Sequence, residues 1–186
     1  MIYMLQTITT LDFQILLWIQ QNIRSDSATM FWEFMTDLGN TGLLWISITL
    51  ILLCRKKTRT SGVTAALAIL MDTVISNGIL KTWIARPRPF LTYTDIMPII
   101  PPPADFSFPS GHTAIAFAVA FVIYELLPRR YSIPALVMAA LVGMSRLYLG
   151  VHYPTDILAG ILIGFAIAKT AVWLIQKSGF RHWLST

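Results

Sequence analysis

Long apolar stretches separated by short polar links dominate this sequence. A bilayer core about 30 Å thick is crossed by about 20 helical residues. Five stretches are predicted to be membrane-spanning helices: residues 35–54, 61–80, 111–127, 132–149 and 154–175. Residues 1–23 are mixed, and could span as a first helix or lie in the interface; we favour spanning. The pattern predicts an all-α, polytopic transmembrane helical bundle of about six spans, or five if the first segment is interfacial.

Composition supports an integral membrane protein. The chain has 186 residues, which is room for one domain, and we expect residues 1–186 to form a single integral membrane domain. Charged residues make up 12% of the chain, against about 25% in typical soluble domains. The net charge of +5 comes from cations at the ends of apolar runs, with no basic tail or basic helix face. We therefore expect the lipid bilayer as a partner and no nucleic acid.

The distribution of Lys and Arg predicts the orientation of the chain. Link 55–60 carries four cations, link 128–131 carries two, and the C-terminal tail carries two more, all on one face if the spans alternate. The positive-inside rule makes this face, and the C-terminus, cytoplasmic. The opposite, extracytoplasmic face of the cell membrane then receives loop 81–110 and the stretch 145–156.

The stretch 145–156 combines a cation, an imidazole and a carboxylate. Pro154 suits the first turn of a helix, so the last helix is predicted to begin there, with Asp156 in its first turn and His152 just outside it. A carboxylate at that distance can fix the tautomer of the imidazole and leave its other nitrogen free to attack. Arg146 is suited to hold an oxyanion beside that nitrogen.

Two further clusters are predicted at the same membrane face. Lys81, Arg86 and Arg88 follow the 61–80 helix, and Ser110 is a natural N-cap for the helix that starts beside Gly111 and His112. The free N–H groups of a helix start bind anions. Several cations with a single carboxylate suit a multiply charged oxyanion. They do not suit a divalent metal, which usually needs several carboxylates, so no metal site is expected.

At these residues the sequence resembles the type 2 phosphatidic acid phosphatases, which share their core with vanadium haloperoxidases and glucose-6-phosphatase. The family pattern has three motifs: Lys-x6-Arg-Pro, Pro-Ser-Gly-His, and Ser-Arg-x5-His-x3-Asp. This sequence matches all three at full spacing, in Lys81 to Arg88-Pro89, in Pro109-Ser110-Gly111-His112, and in Ser145-Arg146 to His152 to Asp156. The resemblance covers about residues 60–176, and residues 1–40 carry no motif.

The resemblance implies a role for each matched residue. His152 would be the nucleophile that forms a phosphohistidine, Asp156 would orient it, and His112 would be the general acid that protonates the leaving oxygen. The phosphoryl oxygens would be held by Lys81, Arg88, Ser110, Gly111 and Arg146. General acid assistance typically contributes about 10²–10⁴-fold, and the rest of phosphoryl transfer depends on positioning and charge neutralisation. No cofactor is implied.

The implied activity is hydrolysis of a membrane lipid phosphate or diphosphate at an extracytoplasmic site. An isoprenyl diphosphate such as the undecaprenyl carrier and phosphatidylglycerol phosphate lead among the substrates, followed by phosphatidic acid. Two rivals are a vanadate-dependent haloperoxidase, which would be soluble, and a transporter for phosphate-bearing compounds. A transporter function would not explain why the sequence has two histidines and an aspartate placed to orient one of them. The sequence makes no prediction of oligomeric state.

Four ionisable groups and one further histidine lie outside the assigned roles. Arg86 is interpreted as a headgroup or solvent contact, because the spacing from Lys81 selects its neighbour two residues later. Asp72 lies mid-span and is predicted to hydrogen-bond to a neighbouring helix. Asp95 and Asp105 are predicted to be solvated, with substrate gating as the alternative, and His182 is assigned no function.

Overall fold

Helices make up the regular structure of this protein. The computed structural model describes residues 2–178, and these residues contain no β-strand. In chain order the helices are α1 (Ile2–Asn22), α2 (Asp26–Gly39), α3 (Leu43–Cys54), α4 (Arg59–Asp72), α5 (Lys81–Ile84), α6 (Pro89–Thr92), α7 (Gly111–Leu126), α8 (Arg129–Tyr148) and α9 (Pro154–Lys177). A π-helical segment, Thr73–Leu80, joins α4 to α5. The predicted all-α fold is confirmed.

The last three helices begin and end within a few residues of their predicted bounds. Pro154 opens α9 after Tyr153, which is extended with φ −79° and ψ 153°, because a residue before proline avoids the helical region. Gly111 opens α7 after the proline-rich loop, as predicted. Proline chemistry therefore sets the ends of the helices that surround the candidate site.

The predicted helix 35–54 is wrong, because the chain is broken within it. Helix α2 ends at Gly39, α3 begins at Leu43, and the two helices are bent by 50°. Gly42 lies in the break with φ +70°, a left-handed conformation that glycine adopts without steric cost. The break turns polar residues of this segment towards the cavity described below.

Several helices have the length and composition of membrane spans. Among residues 2–178, three helical segments are long and apolar enough to cross a bilayer: Lys56–Thr92, Arg129–Tyr148 and Pro154–Lys177. Helices α2 and α3 together would make a fourth, and α7 is apolar but has only 16 residues. A multi-pass membrane protein is confirmed. The number of about six spans is not confirmed and stays a prediction.

Helix α7 is central in the bundle and packs against α4, α8 and α9. Small residues allow its close approach to α9. A Cβ atom at Gly164 would lie 2.7 Å from the carbonyl oxygen of Ala114 and 2.8 Å from the amide nitrogen of Ala118, both shorter than real Cβ contacts. The start of α7 is also bonded to α9, since the Ser110 amide donates to the Asp156 carbonyl at 3.2 Å. These contacts fix the two helix starts relative to each other.

Helix α1 packs against the end of the bundle where α8 ends and α9 begins. Its Leu16 is buried in a small apolar cluster with Tyr153. Just beyond the helix, Arg24 donates to the carbonyl oxygens of Tyr148, at 3.1 Å, and Met97, at 2.8 Å. The N-terminal segment, which carries no family motif, therefore contacts the segment that holds His152.

The hydrogen bond predicted for Asp72 is wrong in its partner. Asp72 is fully buried, but its Oδ1 accepts from Ser76 Oγ at 2.6 Å, four residues further along the same continuous helix. This bond is local, because residues i and i+4 lie on one helix face. The other carboxylate oxygen, Oδ2, is buried and has no hydrogen-bond partner among the described residues.

Candidate active site

The three motif clusters line one cavity of about 560 Å³. Both histidines, the three predicted phosphate-binding cations and the predicted glycine contribute to its wall: Lys81, Arg88, Gly111, His112, Arg146 and His152. The remaining wall comes from the α2–α3 break, the π-helical segment and the proline-rich loop. Segments that are far apart in the sequence thus meet at one end of the bundle.

His152 is held with one nitrogen beside a cation and the other beside a carboxylate. Its Nε2 lies 3.3 Å from Arg88 Nη1. Because a guanidinium can only donate, Nε2 accepts, and the ring proton belongs on Nδ1. Nδ1 faces Asp156 Oδ2 at 3.5 Å, a long contact of the kind that tightens when substrate binds.

The surroundings of His152 keep it neutral. Its side chain is 1% exposed, and burial lowers the pKa of His152 to about 4. The hydrogen-bonding carboxylate of Asp156 raises this pKa in part, while the charges of Arg88 and Arg146 lower it further. At neutral pH the imidazole is therefore neutral and its Nε2 is unprotonated, as a nucleophile requires.

Asp156 lies behind His152 and outside the cavity wall. Its Oδ2 accepts from Ser107 Oγ at 2.5 Å and from the Tyr153 amide at 2.9 Å, and its Oδ1 accepts from Arg86 Nη1 at 2.7 Å. These three donors fix the carboxylate in one orientation. The predicted placement of Asp156, beside the imidazole in the first turn of the last helix, agrees with this geometry.

The interpretation of Arg86 as a headgroup or solvent contact is wrong. Its guanidinium pairs with Asp156 and also with Asp12 Oδ2, at 2.7 Å from Nη2, and it lies 3.8 Å from the centroid of the Tyr153 ring. The spacing from Lys81 could not reveal this role, because the partner carboxylates are 74 and 70 residues away in the sequence.

The three predicted phosphate-binding cations are buried, and each already has an oxygen partner. Arg88 donates to the Val151 carbonyl at 2.7 Å, and Arg146 donates to the hydroxyl of Thr36. Lys81 and Arg88 both pair with the carboxylate of Asp105, the latter at 2.5 Å. These partners hold the three cations in fixed positions in the cavity wall.

The prediction that Asp105 is simply solvated is wrong. Its side chain is 52% exposed, yet both oxygens contact cations of the cavity. Burial alone would raise the pKa of Asp105, but the hydrogen bonds from Lys81 and Arg88 outweigh it and lower this pKa to about 2. Asp95, in the same loop, is exposed as predicted.

The start of α7 brings His112 and Gly111 into the cavity but not Ser110. His112 Nε2 lies 3.2 Å from Asn40 Oδ1. A Cβ at Gly111 would lie 2.6 Å from Asn77 Oδ1, so a larger residue here would have to displace the Asn77 side chain. Ser110 occupies the N-cap position without a capping side-chain bond, and its Oγ instead accepts from Thr113 at 2.9 Å. Its phosphate-binding role stays a prediction.

Comparison with known proteins supports the family suggested by the motifs. Residues 61–180 match the PAP2 superfamily. The chain belongs to the PAP2 superfamily. An undecaprenyl-diphosphatase of Sulfolobus acidocaldarius is 35% identical over 146 residues, which cover 78% of this chain and 69% of that protein. A bacitracin transport permease protein BcrC of Bacillus licheniformis is 39% identical, and the match covers 51% of this chain and 46% of that protein. A phosphatidylglycerophosphatase B of Bacillus subtilis is 41% identical, and the match covers 49% of this chain and 47% of that protein.

Solved structures of PAP2 proteins and haloperoxidases share the fold. A PAP2-type phosphatidylglycerolphosphate phosphatase from Bacillus subtilis superposes with a TM-score of 0.76 and 30% identity, covering 92% of this chain and 87% of that one. A bacterial vanadium-dependent iodoperoxidase gives a TM-score of 0.68 at 18% identity, covering 87% and 47% of the two chains. The predicted core shared with haloperoxidases is thereby confirmed, together with the enzyme class, a phosphatase of lipid phosphates.

The structure adds residues to this PAP2 site that sequence reasoning missed. Thr36 and Asn40 come from the broken α2–α3 segment, Asn77 comes from the π-helical segment, and Asp12 comes from α1. Only Asp12 carried a usable signal, because an acid within an apolar segment needs a partner. His182 lies outside the described residues.

Proposed function

We propose that this protein hydrolyses a membrane lipid phosphate or diphosphate without a metal, through a phosphohistidine at His152. One observation carries the proposal. The nitrogen of His152 that can attack lies in a cavity with three buried cations, and its other nitrogen faces the carboxylate of Asp156. We further propose that residues 1–186 act as one domain.

In the first step, His152 Nε2 forms a bond to phosphorus as the bond to the leaving oxygen breaks. Lys81, Arg88 and Arg146 neutralise the phosphoryl oxygens, with the Gly111 amide and Ser110 as further donors. His112 takes up a proton from solvent when the negatively charged phosphoryl group binds beside it, and gives this proton to the leaving oxygen. Asp156 stabilises the positive charge that develops on the imidazole.

In the second step, water attacks the phosphohistidine. His112, now neutral, takes the proton of the water, the bond between nitrogen and phosphorus breaks, and inorganic phosphate leaves. His112 returns this proton to solvent when the phosphate leaves, so both histidines regain their starting protonation states and atoms and charges balance. His112 Nε2 would transfer these protons, and Asn40 Oδ1 lies 3.2 Å from it.

The cavity supports a substrate larger than a single phosphoryl group. Its volume of about 560 Å³ extends from the cations towards polar residues of the α2–α3 break. Relatives named as an undecaprenyl-diphosphatase and a phosphatidylglycerophosphatase support either an undecaprenyl diphosphate or a phosphatidylglycerol phosphate as substrate. Phosphatidic acid is the alternative.

The exposure of the cations supports an extracytoplasmic site. At the end of the bundle opposite the cavity, the cations of residues 55–57 and 129–130 are exposed. At the cavity end, Lys81, Arg88 and Arg146 are buried and engaged. The free positive charge is therefore at the far end, which the positive-inside rule assigns to the cytoplasm, together with the C-terminus.

The test is phosphate release in detergent from undecaprenyl diphosphate, phosphatidylglycerol phosphate and phosphatidic acid, with and without EDTA. We expect release from at least one lipid, unchanged by EDTA, and no turnover by a folded His152→Ala variant. Loss of activity in EDTA would contradict the metal-independent route, and wild-type turnover by His152→Ala would remove the proposed nucleophile. The lipid with the highest kcat/KM identifies the substrate.

A further inference from the structure

Arg86 lies between two carboxylates that come from different parts of the chain. One is Asp156 in α9, and the other is Asp12 in α1, each 2.7 Å from the guanidinium. Asp12 is 2% exposed and Asp156 is fully buried. Asp12 also accepts from Thr155, from its amide at 3.0 Å and from its hydroxyl at 2.5 Å. All four residues are therefore joined in one network immediately behind His152.

The charges of this network matter for His152. The guanidinium of Arg86, whose side chain is 21% exposed, would largely cancel the negative charge that supports a positive imidazole if it were paired with Asp156 alone. Asp12 supplies a second negative charge, so that Asp12, Arg86 and Asp156 together carry one net negative charge. In a buried site with low dielectric, one such charge has a large effect on a neighbouring group.

The geometry matters as well. The guanidinium of Arg86 donates from Nη2 to Asp12 and from Nη1 to Asp156. It also stacks over the Tyr153 ring. Because the planar guanidinium is bonded on both sides, it holds Asp156 Oδ1 in place, and Asp156 Oδ2 then faces His152 Nδ1. Asp12 does not line the cavity, so it has no route to the substrate except through this network.

We infer that Asp12 and Arg86 are positioning residues, which set the orientation and charge of Asp156 and make α1 a functional part of the site. The inference rests on the proposed role of His152. It extends the machinery beyond the matched family region, which begins at residue 61. Outer partners that orient metal-ligating histidines typically change activity by about 10–100-fold when removed, and we expect an effect of the same order for this buried histidine.

The decisive variant is Asp12→Asn, which keeps the shape and removes the charge. We expect kcat to fall by about 10–100-fold, while KM and the inhibition constant of orthovanadate, a phosphate analogue, stay within about twofold because the cavity cations are untouched. Asp12→Glu restores the charge and is expected to recover part of kcat. A role limited to folding would give neither the split between kcat and KM nor the recovery.

The matched control is Gln20→Ala. Gln20 also ties α1 to the rest of the site end, donating to the Asp95 carbonyl at 2.8 Å and accepting from the Met97 amide at 2.9 Å, but it does not touch Arg86. Gln20 also accepts from Arg24 Nη1 at 3.0 Å. We expect the kcat of Gln20→Ala to stay within about twofold of wild type, since all of these contacts lie outside the network of Asp12, Arg86 and Asp156. An equal loss of kcat in both variants would show that α1 docking alone matters, and would overturn the inference.

Two further outcomes are decisive. A kcat within twofold of wild type for Asp12→Asn, with His152→Ala inactive, would overturn the inference and leave the proposed function standing. Wild-type turnover by His152→Ala would instead overturn the proposed function. If Asp12→Asn fails to fold, as judged by loss of orthovanadate-induced thermal stabilisation, Arg86→Lys decides. Lysine keeps the positive charge but lacks the planar guanidinium that bonds both carboxylates. An unchanged kcat for this variant would overturn the inference.

Discussion

Asp105 contacts two of the cavity cations that we propose bind the substrate phosphate. Its carboxylate contacts Lys81 and Arg88, and its pKa of about 2 keeps it ionised throughout the working range of pH. A phosphoryl group that binds these cations must displace the carboxylate. We therefore predict that Asp105→Asn strengthens the binding of orthovanadate and of inorganic phosphate.

The magnitude follows from the two ion pairs. Because the side chain of Asp105 is 52% exposed, each pair is taken at the surface value of about 0.2–1 kcal/mol. Their sum corresponds to a twofold to thirtyfold change in affinity, at about 1.4 kcal/mol for each factor of ten. Without ligand, the variant should also melt at a lower temperature, because two buried cations lose their carboxylate partner.

The assay is competitive inhibition of phosphate release by orthovanadate, together with thermal shift with and without orthovanadate. We expect a lower inhibition constant and a larger ligand-induced rise in Tm for Asp105→Asn. Asp95→Asn, in the same loop but with an exposed side chain, is the control and should match wild type. A higher inhibition constant for Asp105→Asn would mean that Asp105 holds the cations in place for substrate, and would refute the competition.

The remaining predictions test single steps of the account. The pKa of His152 is about 4 when folded and about 6.5 when unfolded. The unfolded chain therefore binds the extra proton first, and Tm should fall from pH 6.5 to 4 more steeply in wild type than in His152→Ala; equal slopes would contradict the low pKa. Loss of the general acid in His112→Asn should cost about 10²–10⁴-fold with a lipid substrate but far less with p-nitrophenyl phosphate, whose leaving group needs no proton; equal losses would exclude that role. Gly164→Val should destabilise the bundle by about 1–3 kcal/mol through overpacking against Ala114, and an unchanged Tm in detergent would contradict the close approach of the two helices.

Local sequence rules predicted the helix ends, and the resemblance to a known family pointed to the motif residues that line the cavity. Proline before α9 and glycine at the start of α7 act on the adjacent backbone, so their effect can be read directly from the sequence. The cations and histidines follow because each motif ends or begins a helix at one membrane face. Within each motif the residues are close together in the sequence, so their relative placement follows from the local helix or turn.

Pairings between distant segments could not be read in the same way. Asp12 meets Arg86 only because α1 packs across the start of α9, and nothing in the sequence near residue 12 specifies that contact. Asp105 appeared solvated because it sits in a proline-rich loop, and its partners depend on how that loop folds over the cavity. The break at Gly42 interrupts a run that has the composition of one continuous helix.

The central claim is that His152 becomes phosphorylated during turnover. The most direct measurement is rapid quenching with ³²P-labelled lipid phosphate under alkaline conditions, followed by peptide mapping. We predict one acid-labile, alkali-stable label on His152, and none in His152→Ala. Label on any other residue, or full turnover with no trapped label while His152→Ala remains active, would contradict the account.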